Sequence, residues 1–161
     1  MRRYGRAMPT PTPVRINESY GIKAVPGEKL PWERVEEWLV ASRNYWICTT
    51  RPDGRPHAKP VWGVWLGDRV MWGTSPQSVT GRNLAANPEV VVHVESGDET
   101  AILEGAFAFE DDPDVISRFI AAYDAKYDHR LELEAAYGLR PRTCLSWTEA
   151  DYPNTATRWV F

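Results

Sequence analysis

Thr74, Ser75, Ser78 and Thr80 crowd their hydroxyls into one short stretch, WGTSPQSVTGRNL, with Arg82 and Asn83 directly after them. Ser78 stands where a helix N-cap belongs, because Thr80 to Ala86 reads as a short helix closed by Asn87-Pro88. A helix start leaves backbone N–H groups unpaired. With hydroxyls and a guanidinium beside them, the set suits an anion, above all a phosphate. A capped surface loop with a solvated arginine explains the same residues, and spacing alone leaves both readings open. Lys59 projects from an adjacent strand. Arg158 and Trp159 offer a cation and a stacking plane near the C-terminus, or else simply a strand that closes a sheet.

Other chemistries find less support. His57, His93 and His129 are scattered and no CxxC or HExxH occurs, so no protein-ligated metal is expected. Cys48 and His57 face each other across a possible hairpin as a nucleophile pair. However, Cys48 lies mid-strand among apolar neighbours, where a thiol is ordinarily inert packing. No GxSxG elbow, phosphate-binding Walker loop or dinucleotide fingerprint is present. Asp111-Asp112 precedes a helix, where capping accounts for both carboxylates.

The elements that must position these residues come from patterning. A strand-like run, Tyr45 to Cys48, enters the turn Pro52-Asp53-Gly54-Arg55, and a period-two segment then runs from Pro56 to Leu66. His57, Lys59, Val61, Gly63 and Trp65 share one face, and Ala58, Pro60, Trp62, Val64 and Leu66 the other. Pro60 cannot donate to a ladder, so this strand is expected at an edge, bulged or bent there. Further strands are expected at Val70–Gly73, Glu89–Glu95, Thr100–Phe109, Arg142–Ala150 and Ala156–Phe161. Helices are expected at Trp32–Ser42, from Asp112 to about Tyr127, and at Leu131–Tyr137. Residues 1–31, punctuated by Pro9, Pro11, Pro13, Pro26 and Pro31, read as an extended arm preceding a single domain over 32–161. Short turns between strands favour antiparallel pairing, hence a Greek-key or meander barrel with helices at its sides.

Composition sets the outer limits. A chain of 161 residues, 43% hydrophobic and 25% charged, suits one globular domain. A net charge of −3 gives no electrostatic reason to expect nucleic acid or an anionic membrane. No apolar run reaches the roughly 20 residues that span a bilayer, and the basic N-terminus lacks a secretory apolar core, so a cytoplasmic location is expected. Cys48 and Cys144 are then expected as reduced thiols. The 8 tryptophans must fill a core, a ligand cleft or a subunit interface.

The segment PDGRPHAKPVWGVW, followed by WGTSPQSVTGRNLAANPEVVVHVESGDETAILEG, resembles the pyridoxamine 5'-phosphate oxidase-like family, the split β-barrel group of flavin and deazaflavin oxidoreductases. The most specific piece is SxxxRNLxxNPxV, from Ser78 to Val90, and the closing TRWxF resembles an actinobacterial, deazaflavin-using branch. The resemblance implies a mainly β (α+β) fold, an antiparallel Greek-key split barrel of six to seven strands with flanking helices, of the FMN-binding type. It implies a homodimer with cofactor sites at the subunit interface, and F420 (a deazaflavin) or FMN as cofactor for hydride transfer with a small organic substrate. A non-catalytic flavin- or haem-binding protein is the alternative.

Carried over residue by residue, the resemblance sets His57, Lys59, Pro60, Val61 and Trp62 along the ring. It sets the loop with Thr74, Ser75 and Ser78, and the following helix with Arg82 and Asn83, at the phosphate. Many members have an arginine–lysine pair where this chain has Val79 and Thr80, so charge-assisted bonds worth about 1.5–3 kcal/mol each are missing there. That departure bears on FMN more than on a deazaflavin with its longer tail.

Overall fold

A computed structural model describes residues 8–14, 19 and 29–161. Nine strands and four α-helices alternate along them. Strands β2 (Asn44–Thr50), β3 (Pro56–Trp65), β4 (Val70–Trp72), β5 (Glu89–Val94), β6 (Glu99–Glu110) and β7 (Ala136–Leu139) close an antiparallel barrel in the order β2-β3-β4-β7-β6-β5. The length of β6 explains the split. Its second half, Phe107–Glu110, pairs with β7, while Glu99–Glu104 pairs with β8 (Thr143–Thr148). From β8 the sheet extends outward through β9 (Thr157–Val160) to β1 (Thr10–Pro13).

Helix α1 (Trp32–Ala41) buries Val35, Trp38 and Leu39, an i, i+3, i+4 stripe, in the same core as Tyr45, Ile47, Trp72 and Leu103. Helix α3 (Pro113–Tyr127) starts on Asp112, whose carboxylate accepts from the Asp114 N–H at 2.9 Å. Its apolar face, with Phe119 and Tyr123, packs on Val64 and Met71 as a second cluster. Helix α2 (Val79–Ala86) lies against β2, and α4 (Tyr152–Thr155) is a single turn before β9. Five tryptophans, at 32, 38, 65, 72 and 159, are buried in this packing.

One expectation needs correction. Leu131–Tyr137 is not a helix: residues 129–135 are irregular, and Ala136–Leu139 is the strand that closes the barrel between β4 and β6. The helix-favouring residues there yield to long-range pairing. At Gly138 a side chain would stand 2.9 Å from Met71 Sδ and from Glu110 Cγ, so the closure leaves no space for a Cβ. Strand β1 lies inside the segment read as an extended arm and pairs with β9; the rest of residues 1–28, apart from 8–9, 14 and 19, lies outside the described residues. Among the described residues no helix is long and apolar enough to cross a membrane.

Candidate functional site

β3 pairs with β2 over Pro56–Trp62 and with β4 only over Gly63–Trp65. Residues 56–62 therefore have an edge without a strand partner among the described residues. The direction of each backbone group on that edge follows from the turns. The Arg51 N–H donates to the Arg55 carbonyl, and the Leu66 N–H donates to the Arg69 carbonyl. Odd-numbered residues of β3 thus turn their polar backbone toward β2, and even-numbered ones toward the open edge. Ala58, Pro60 and Trp62 present the free groups. Pro60, lacking an N–H, stands where no ladder bond is lost.

Side chains divide the other way. Thr49, Ile47 and Tyr45 are buried and face His57, Lys59 and Val61 as cross-strand partners, so the latter three lie on the α2 side of the sheet. His57 and Val61 are half-buried and Lys59 is exposed at the rim. Helix α2 is tied to the hairpin by Asn83, whose Nδ2 donates to Thr49 Oγ1 at 2.9 Å; that hydroxyl lies 3.4 Å from His57 Nδ1.

At the start of α2, Ser78 Oγ accepts from the Gly81 N–H at 3.0 Å and the Ser78 carbonyl accepts from the Arg82 N–H at 3.0 Å. The N–H groups of Val79 and Thr80 have no acceptor among the described residues. Thr74 Oγ1 sits 3.1 Å from Ser78 Oγ, and Ser75 Oγ donates to Gln77 Oε1 at 2.6 Å. Arg82 is exposed, with one nitrogen donating to the Gln77 carbonyl. The loop folds so closely over the helix that a Cβ on Gly81 would lie 2.4 Å from the Ser75 carbonyl oxygen.

The structure brings Lys59, His57, Ser75, Ser78 and Arg82 to one side of the β2–β3 hairpin and treats the remaining expected residues differently. Thr80, Asn83 and Leu84 form the buried face of α2, so the Thr80 hydroxyl turns inward and only its main-chain N–H remains at the helix start. Trp62 sends its ring to the opposite face, stacked on Tyr127 at 4.7 Å between centroids. Trp159 is core: its indole N–H donates to Ser146 Oγ at 2.8 Å and its ring packs on Trp32. Arg158 is exposed on β9, five strand spacings from β3, on the order of 24 Å measured along the curved sheet. Within one protomer neither reaches the cleft.

Burial, then the charges of Arg51 and Lys59, hold the His57 pKa below its ordinary value, so its imidazole is neutral at neutral pH and the edge around it is electropositive. Cys48 lies on the other face, opposite Ala58 and Val91, and burial pushes its thiol up. It forms no pair with His57. Among the described residues no group of three His, Cys, Asp or Glu is placed to hold a metal. Ala58, Thr49 and Gly81 escaped sequence reasoning. The even-number parity with Pro60 was the signal for Ala58, whereas Thr49 and Gly81 matter through contacts that only the packing shows.

The donor set fits a phosphate-bearing heterocycle. Two free helix-start N–H groups and an ammonium suit the phosphate, and alternating edge groups suit a ring with donors and acceptors on one side. A sequence model of the family described as pyridoxamine 5'-phosphate oxidase matches residues 31–149. No curated protein matches. A conserved hypothetical protein from Mycobacterium tuberculosis has a similar structure, with TM-score 0.63, 21% identity, and coverage of 74% of this chain and 85% of that one. An F420 reductase gives 0.55 and 23%, covering 74% of this chain and 98% of its own. A heme-binding protein from Mycobacterium smegmatis gives 0.57 and 19%, covering 78% and 62%. At these identities the likeness concerns the fold alone.

Proposed function

Because the chain belongs to the pyridoxamine 5'-phosphate oxidase family, we propose that it binds F420 or FMN and works as an oxidoreductase on a small organic substrate. The observation that carries this reading is the open edge of β3 lying on the same hairpin that holds the start of α2, the two joined through Asn83, Thr49 and His57. When bound, the cofactor supplies hydride transfer. The chain's own part is to hold and orient. The Val79 and Thr80 N–H groups donate to the phosphate, Lys59 and Arg82 offset its charge, and the Ala58, Pro60 and Trp62 backbone meets the ring's polar edge. Main-chain donors at Val79 and Thr80 carry no net charge and do not make up for the cations absent from those side chains, which favours the deazaflavin over FMN.

The proposed assembly is a homodimer built on the outer face of the sheet. Pro60, Trp46, His93, Ile102, Leu145, Arg158 and Thr12 form one cross-strand row, all at least partly exposed. A two-fold axis near Ile102 sets Arg158 of one copy beside Trp46, next to Pro60, of the other, and so returns Arg158 to the cleft.

Non-catalytic carriage of a flavin or haem is the second reading. It draws on His57, a neutral imidazole beside the edge, and on the fold shared with a heme-binding protein. Native mass spectrometry of protein from a host that makes both F420 and FMN tests the set at once. A dimer carrying one F420 or FMN per chain is expected. Haem mass favours the second reading, and a monomer without small molecules overturns both.

A further inference from the structure

Lys126 stands apart from this cleft, on α3, and the cofactor reading gives it nothing to do. Its ammonium is half-buried where α3 crosses the paired end of β3. It donates to the Gly63 carbonyl at 3.1 Å and to Tyr45 Oη at 3.4 Å, and lies 4.8 Å from the Tyr45 ring centroid and 5.4 Å from that of Tyr127. All of these partners are neutral. Lys126 makes no salt bridge within the described residues: Glu95, which attracts it from the end of β5, is engaged by Asn44 Nδ2 at 2.7 Å, and Arg43 repels it. Glu36 of α1 is taken by the Trp65 indole N–H at 2.9 Å.

The amine lines a pocket of about 330 Å³ whose other walls are Val40 at the end of α1, Val64 and Trp65 of β3, and Ala122 and Ala125 of α3. A cation drawn out of water without a carboxylate is costly, and an ammonium with three donors has one left over after Gly63 and Tyr45. We propose that this pocket is a binding site for a small monocarboxylate with an apolar body, the carboxylate accepting from Lys126 and the body lying between Val40, Trp65 and Ala125. The apolar walls offer surface for the body of the ligand to cover, beside the single charge-assisted bond.

Burial lowers the Lys126 pKa to about 8, with Arg43 lowering it further and Glu95 opposing. The free amine therefore loses its proton as pH rises through that value, and carboxylate affinity falls over the same range. Calorimetric titration with benzoate, and with benzamide as its uncharged counterpart, tests the site. At neutral pH benzoate is expected to bind about tenfold or more tightly than benzamide. Lys126→Met is expected to bring benzoate down to the benzamide level, and Ala125→Leu, at an exposed position, to weaken both ligands while leaving the amine in place. Equal binding of the two probes, no binding of benzoate, or unchanged benzoate affinity in Ala125→Leu would overturn the proposal, the last even if Lys126→Met fails to fold.

Discussion

The first half of β3, residues 56–62, and its second half, residues 63–65, belong to one unbroken strand and meet opposite surroundings. In the first half one edge is open, Lys59 is solvated, and Ala58, Pro60 and Trp62 are exposed. In the second half β4 covers the edge, Gly63, Val64 and Trp65 are buried, and Tyr127 reaches across from α3 to take the Gly63 N–H at 3.0 Å. Stability resides in the buried half, while the first half, paired with β2 on one side only, keeps unsatisfied backbone on the other that a ligand can use.

Substitutions should separate the halves. A Cβ at Gly63 would stand 2.8 Å from the Met71 carbonyl oxygen and 3.2 Å from the Tyr45 ring, and the backbone oxygen has nowhere to go. Gly63→Ala is expected to cost about 1–3 kcal/mol, read as a Tm lower by several degrees. Ala58→Val, in the open half, should change stability by no more than about 0.5 kcal/mol. Comparable shifts in thermal denaturation would erase the distinction.

A smaller effect is expected where the halves of the site join. Asn83→Ala removes the donor to Thr49 Oγ1 and leaves that hydroxyl, on a residue only 4% exposed, without this partner. About 1–2 kcal/mol should be lost in denaturant unfolding, together with cofactor affinity. If affinity is unaffected, the Asn83–Thr49–His57 chain is packing alone and does not align the cleft.

Much of the open half was legible in the sequence because it is local. Alternation from Pro56 to Leu66 gave both faces of β3, Pro60 marked the edge, and Ser78 marked the helix start. The Val35, Trp38 and Leu39 stripe gave α1 in the same way. What stayed hidden depends on partners distant in sequence. Leu131–Tyr137 has helical composition, and only pairing with β4 and β6 makes Ala136–Leu139 a strand. Thr80 and Asn83 carry polar types that suit a ligand, but the helix turns both toward β2. Trp159 offered a stacking plane until Ser146 and Trp32 were seen to enclose it.

The central claim, that the open edge of β3 and the start of α2 form one cofactor cleft, is tested most directly by fluorescence titration of F420 and of FMN into wild-type protein and into Lys59→Met. Lys59 is exposed and its side chain makes no hydrogen bond or ion pair among the described residues, so its loss should leave Tm unchanged. The expected result is micromolar binding of at least one cofactor to the wild type and a loss of about tenfold or more in the variant, the worth of one charge-assisted bond. Binding of neither cofactor, or equal affinity in the two proteins, would contradict the account.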